Sequence, residues 1–171
     1  MPKNKRTFIA ISVLIILIIA IITARNYVFE IAVTSGASME PTTMPGDHIL
    51  IDRLAYRSRA PEKGEIIAVK IGWVMMVKRV LGVPGDVIEL KDGFLYCNGK
   101  LIEHENRPIP SDNRLKPRSF KPMTVWDKHL FVIGDNIDYS IDSRDYSTIP
   151  YTELVGKVVV IYYPFGRIRK L

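Results

Sequence analysis

The hydrophobic pattern divides the chain into two unequal parts. From Phe8 to Ala24 no residue is charged, and Ile and Leu dominate. At about 1.5 Å per residue, a helix over this run spans roughly 25 Å, the short end of what crosses a bilayer. After Asn26 the pattern changes to short runs rich in Val, Ile and Tyr, parted by Gly, Pro and Asp. That is the signature of strands. The runs predict strands at 28–34, 48–54, 65–71, 74–81, 87–90, 94–97, 101–103, 130–134 and 157–163. Asn98-Gly99 is a type I′ hairpin signal, and Asp92-Gly93 is a second hairpin candidate. No later stretch carries a long helical period. The expected fold is mainly β, with antiparallel sheets forming a barrel-like core. Between 104 and 124, Pro108, Pro110, Pro117 and Pro122 stand among basic and polar residues. That stretch reads as an excursion or small inserted subdomain. Trp73 to Met76 read either as buried core strand or as an apolar surface dipping into a membrane interface, and the core reading is preferred.

Charge changes the picture of the N-terminus most. Lys3, Lys5 and Arg6 precede the apolar run, Arg25 follows it, and no acid occurs before Glu30. The positive-inside rule places the N-terminus in the cytoplasm and residues 26–171 outside it. The apolar run exceeds the about 7–15 residues of a cleaved signal, and Arg25-Asn26-Tyr27 is a poor cleavage context. Residues 1–25 are therefore expected to be an uncleaved, single-pass anchor in a bacterial cytoplasmic membrane, with the lipid bilayer as partner. These four basic residues account for most of the formal net charge of +6. Arg167, Arg169 and Lys170 account for more than the remaining excess, so the body is near neutral and nucleic-acid binding is not expected. The single cysteine, Cys97, permits no intramolecular disulfide and reads as a small core residue. His48, His104 and His129 are scattered without metal-ligand spacing, so no metal or cofactor is expected. A monomer is expected.

The candidate chemistry lies in three segments. Ser38, in Gly36-Ala37-Ser38-Met39-Glu40-Pro41, is either an ordinary turn serine or a nucleophile. A nucleophilic serine needs a base. The Gly-x-Ser-x-Gly elbow fails, because Glu40 stands where its last glycine belongs. A lysine held neutral is the other solution. Lys78 lies in the apolar run Met75–Leu81, on the strand face of Met76 and Val80, with Arg79 pointing away. A free lysine of pKa ~10.4 is almost never neutral near pH ~7.5, and bringing it there demands roughly 3–4 kcal/mol, which burial can supply. The alternative is an edge lysine snorkelling to water. The third segment, Gly134 to Arg144, is either a solvated loop or a loop pinned by Asp142 and Arg144, from which Ser140 could offer a hydroxyl to the lysine. Its spacing does not match a calcium loop.

These blocks occur in order behind the apolar run: Ser38-Met39-Glu40-Pro41-Thr42, then Gly46-Asp47-His48-Ile49-Leu50-Ile51, then Lys78-Arg79-Val80-Leu81-Gly82-Val83-Pro84-Gly85-Asp86. Last comes Gly134-Asp135-Asn136 with Ser140, Asp142, Ser143 and Arg144. Together they resemble the bacterial type I signal peptidases, membrane-anchored Ser–Lys proteases that remove signal peptides from exported preproteins. The resemblance implies Ser38 as nucleophile and Lys78 as general base, with Ser140 orienting the lysine and Asp142 and Arg144 holding the loop. It also implies a β core with an inserted subdomain. Three positions depart from the common pattern. Gly36 stands where many members carry a serine that helps the oxyanion hole, Thr43 where leucine is common, and Ile137 where arginine is common. The alternatives are a peptidase specialised for one substrate such as a conjugative pilin, a self-cleaving Ser–Lys regulator, and a membrane-tethered β module that binds peptides without cutting them. The last of these predicts that Ser38 and Lys78 lie far apart.

Overall fold

The computed structural model describes residues 3–91, 94–102 and 120–171, with side chains at 8–9, 11–23 and from 27 onward. Helix α1 runs Lys3–Val28. Consecutive large apolar side chains between Phe8 and Ile22 are exposed, so no face of the helix is reserved for a protein core. Among the described residues no helix is long and apolar enough to cross a membrane.

The strands that follow are β1 (Phe29–Val33), β2 (His48–Asp52), β3 (Ile66–Ile71), β4 (Val74–Gly82), β5 (Val87–Lys91) and β6 (Phe94–Cys97). After them come β7 (Lys100–Leu101), β8 (Phe120–Thr124), β9 (His129–Ile133), β10 (Ile149–Pro150), β11 (Leu154–Tyr163) and β12 (Arg169–Lys170). An eight-stranded sheet takes the order β1-β2-β11-β3-β4-β9-β10, with β12 added beside β11. A four-stranded sheet takes the order β7-β6-β5-β8. All pairings are antiparallel. The expected barrel-like closure is not formed by the described strands. β1 and β10 stand at opposite ends of the large sheet, and no pairing joins them.

Burial follows each strand's position in the sheet. In β2, Ile49 and Ile51 are buried while His48, Leu50 and Asp52 are not, the alternation of a strand with one face on the core. In the central β3, Ile66, Ile67, Ala68 and Val69 are buried in succession, because both faces are covered. Leu81 of β4 and Phe131 and Ile133 of β9 share a cluster with Ile88, Leu90, Leu95 and Cys97 of the small sheet. That shared cluster fixes the small sheet against β4 and β9. Asn98 and Gly99 take φ of 53° and 73°, and Cys97 pairs with Lys100, so the type I′ hairpin forms. Lys91 pairs with Phe94 across the second expected hairpin, whose residues 92 and 93 lie outside the described set.

Two expectations need correction. Phe120–Thr124, taken as part of the excursion, is strand β8 and completes the small sheet against β5. Pro122 hid it, and the sheet order explains its tolerance, because among the described residues β8 ends the small sheet with no ladder on its outer side. Residues 103–119, with His104 and most of the proposed subdomain, lie outside the described set. The second correction concerns Trp73, Val74 and Met75, which are not core. Trp73 is 97% exposed, at the tip of the hairpin where Ile71 pairs with Val74.

Candidate active site

Ser38 lies in the connection between β1 and β2, a stretch with no sheet partner. Turns hold it internally. Glu40 N–H donates to the Ala37 carbonyl at 3.1 Å, and Thr43 N–H to the Met39 carbonyl at 2.9 Å. The neighbouring Met39 is buried beside Ile49 and Ile51 and fastens the turn to the core. The Ser38 hydroxyl stays half-buried and faces β4.

Lys78 sits in the middle of β4. Ile67 is its partner across the ladder to β3, and Ile67, Val80 and Met76 belong to one apolar cluster. The lysine is 3% exposed. It does not snorkel to water. Its Nζ donates to the Ser38 Oγ at 2.9 Å.

The loop after β9 closes the other side. It is not a solvated loop: Asp135, Ser140, Asp142, Ser143 and Arg144 are all buried. Asp142 caps the short helix α2 (Ser143–Tyr146) and receives Arg144 through two bonds of 2.8 Å. Burial pushes the Asp142 carboxyl up, but Arg144 outweighs burial and holds it below the usual carboxylate range. The same carboxylate accepts the Gly134 N–H at 3.0 Å, which fixes the start of the loop. Asn136 N–H donates to the Ser38 carbonyl at 3.0 Å, so this loop grips the serine backbone directly. Ser140 is fully buried, with its hydroxyl packed over Gly134.

The sequence reading missed one part of this wall. Arg79 points away from Lys78 as expected, yet it is not idle. Its guanidinium makes two 2.7 Å bonds to Asp135 and donates to the Gly64 carbonyl at 2.7 Å. It also reaches toward the Thr42 hydroxyl. Arg79 follows Lys78 and Asp135 follows Gly134, so both stood inside quoted blocks. Nothing in the spacing pairs them, because the pairing depends on β4 lying beside β9. His48 packs edge-on against Tyr162 and Tyr163, and His129 against Trp126.

A cavity of about 230 Å³ opens beside Ser38 and Lys78. Ala32, Met39, Ile49, Met76 and Val77 make it apolar, and Ser35 and Gly36 stand at its rim. Gly36, the position with the unusual residue, is exposed and has nothing within 4 Å of where a Cβ would stand.

The comparisons with known proteins bear on the family of the chain. The family model for signal peptidase, peptidase S26, matches residues 6–163. The chain is 31% identical to a probable signal peptidase I-2 of Synechocystis, over 88% of this chain and 71% of the relative. It is 32% identical to signal peptidase I U of Bacillus subtilis, over 98% of this chain and 95% of the relative. It is also 30% identical to a signal peptidase I of Bacillus licheniformis, over 98% and 95%. A solved signal peptidase I from Enterococcus faecalis aligns with a TM-score of 0.46 at 25% identity, over 58% of this chain and 97% of that one. With a family match spanning nearly the whole chain, the protein belongs to the signal peptidase, peptidase S26, family of serine proteases, which cleave signal peptides from secreted preproteins.

Proposed function

We propose that this signal peptidase works through Ser38 as nucleophile and Lys78 as general base. The 2.9 Å contact between Nζ and Oγ of two residues forty positions apart carries the reading. A tethered module that only binds peptides has no use for a buried amine held against a hydroxyl. In the proposed reaction the neutral Lys78 takes the Ser38 proton as Oγ attacks the scissile carbonyl. The oxyanion is held by the Ser38 N–H and a neighbouring group. Lysinium then protonates the departing amine, and the regenerated base activates the water that releases the acyl enzyme. Ser140 orients the lysine from the buried loop that Asp142 and Arg144 pin.

The preprotein segment lies extended along the free edge of β1, with a small side chain in the cavity beside Ser38. Residues 1–25 are the anchor, with the N-terminus in the cytoplasm, and residues 26–171 are the catalytic domain outside. Two observations support this topology. The α1 backbone runs unbroken from Lys3 to Val28, and its large apolar side chains are exposed along their length. Trp73, Val74 and Met75 then meet the bilayer surface, which a substrate cleaved just beyond its own apolar segment requires.

Processing of a preprotein by the membrane-inserted protein tests the dyad. Ser38→Ala is expected to abolish cleavage with the fold intact. Lys78→Arg is expected to be as inactive as Lys78→Ala, because guanidinium keeps its proton near neutral pH. Cleavage by the arginine variant would show that another group is the base.

A further inference from the structure

The serine turn is gripped from a second direction, by a part of the chain that none of the sequence blocks includes. After β11 the chain makes a single turn over Phe165–Arg167 and returns as β12, with Lys170 opposite Val160 and Arg169 opposite Ile161. Leu171 N–H donates to the Val159 carbonyl at 3.0 Å. The Leu171 side chain packs on the cluster that buries Met39, the residue after the serine. The tail is thus fixed to the sheet and touches the same core as the serine turn.

Two arginines extend from this tail into the β1–β2 connection. Arg167 makes bonds of 2.9 and 3.0 Å to the two carboxylate oxygens of Asp47, whose side chain is 2% exposed. Asp47 in turn accepts the Met44 N–H at 2.8 Å, and its own carbonyl accepts the Thr34 N–H at 2.9 Å. The bidentate pair therefore fixes the base of the connection where both of its ends meet. Arg169 donates to the Pro41 carbonyl at 3.2 Å and to the Thr42 carbonyl. Those carbonyls lie in the turn that Thr43 N–H closes onto Met39. With no ladder among the described residues to hold it, this connection depends on groups from elsewhere in the chain. They include the Asn136 backbone N–H on the Ser38 carbonyl, Arg79 near Thr42, and the two tail arginines.

We propose that Arg167 and Arg169 are positioning residues for Ser38, the C-terminal strand acting as a clamp on the serine turn. The proposal rests on the Ser38–Lys78 reading above. Proton transfer across 2.9 Å tolerates little displacement of either partner, and an error of about 1 Å can cost on the order of a hundredfold in rate. Neither arginine lines the cavity beside Ser38. Loss of the clamp should therefore lower kcat and leave KM nearly unchanged.

The test uses the full chain in detergent micelles with a peptide spanning a preprotein cleavage site, reading kcat, KM and the thermal midpoint. Arg169 is exposed, and its guanidinium donates to the Pro41 and Thr42 carbonyls of the turn. Arg169→Ala is expected to lower kcat on the order of ten- to a hundredfold, with KM within about twofold and the midpoint little changed, since exposed substitutions seldom alter stability. Arg169→Lys should restore most of the rate, because an ammonium can donate to both carbonyls. Arg167→Lys keeps the charge beside Asp47 and loses the fork, so it should lower kcat by less than Arg169→Ala does. The proposal fails if Arg169→Ala keeps wild-type kcat, or if its kcat falls only together with the midpoint and lysine restores neither. Ser38→Ala and Lys78→Ala run alongside. Turnover by either would overturn the dyad itself, whereas two dead controls beside a fully active Arg169→Ala would overturn the clamp alone.

Discussion

Along the loop from Gly134 to Arg144, Asp135, Ile137, Ser140, Asp142, Ser143 and Arg144 are all buried. Along the connection between β1 and β2, Ser35, Gly36, Pro41 and Pro45 are exposed, Ser38 is half-buried, and only Met39, Thr43 and Asp47 are fully enclosed. Both loops meet at the Ser38 carbonyl, yet they solve different problems. The buried loop meets its charges mostly by local partners, through the Asp142–Arg144 pair and the Asp142–Asp145 capping box, while Arg79 of β4 meets Asp135 and the Ser143 hydroxyl accepts the Val132 N–H of β9. It gains a fixed shape at the cost of desolvating charges. In the proposed reading the serine connection must leave Ser38 open to an extended peptide, so it is not buried and is held by groups from other segments. Damage to the first should therefore appear mainly as lost stability, and damage to the second mainly as lost rate.

The largest expected effect on stability comes from breaking the ion pair of the buried loop. Arg144→Ala leaves the Asp142 carboxylate enclosed without its guanidinium. Removing one partner of a buried pair costs about 3–5 kcal/mol. Urea unfolding should show it, and a loss below about 1 kcal/mol would break the contrast between the loops. The pH dependence carries the same sign. Asp142 is held below its ordinary value of 3.8, so its contribution is present above that value and is lost as pH falls through the lower folded value. In Arg144→Ala the lowering cause is gone, and the acid-unfolding midpoint should move to higher pH.

Gly134 is where the two loops touch. A Cβ there would stand 2.2 Å from the Ser140 Oγ and 2.3 Å from the Ser38 carbonyl oxygen. The serine hydroxyl can rotate, but the carbonyl is backbone and is already bonded to Asn136. Gly134→Ala is therefore expected to push the loops apart. It should cost about 1–3 kcal/mol as an overpacked site and lower kcat at least tenfold by moving Ser38 from Lys78. If the variant melts and turns over like the wild type, the close approach is not what sets the geometry.

How far the sequence foretold this arrangement differs between local and long-range features. The strands with strong alternation, β2 and β6 among them, were legible because one face must be apolar. β10 and β12 were not, since two residues carry no period. Pro122 disguised β8, and only the sheet order shows that it lies on an edge. At the site, Ser38, Lys78, Asp142 and Arg144 were legible because each lies in a short block, and the blocks follow one another in an order that resembles a known family. The bonds of Arg79 to Asp135 and of Arg167 to Asp47 were not. Arginine and aspartate are common, and a pair separated by 120 positions leaves no mark that a sequence pattern can carry. Exposure of Trp73 was misjudged because a strand pattern does not show that its hairpin projects past its neighbours.

The smallest effect, and the finest test of the contrast, is at Gly36. The family resemblance implies a serine at that position in many members, with a hydroxyl that would help hold the oxyanion. Gly36 is exposed, and a Cβ there would meet nothing within 4 Å. Gly36→Ser should therefore fold with an unchanged thermal midpoint, the opposite of Gly134→Ala. Deleting a built oxyanion donor costs on the order of 10²–10³ in kcat, because the donor is held in place before the charge forms. A serine added to an open rim has no neighbour to fix its rotamer, so only a small part of that is recoverable. The expected result is a rise in kcat of about two- to fivefold at unchanged KM. A rise near the full hundredfold would mean that the hole lacks a donor and that the rim is more ordered than its exposure implies. A tenfold fall would mean that the rim is as tightly packed as the buried loop, and the distinction between the two loops would be lost.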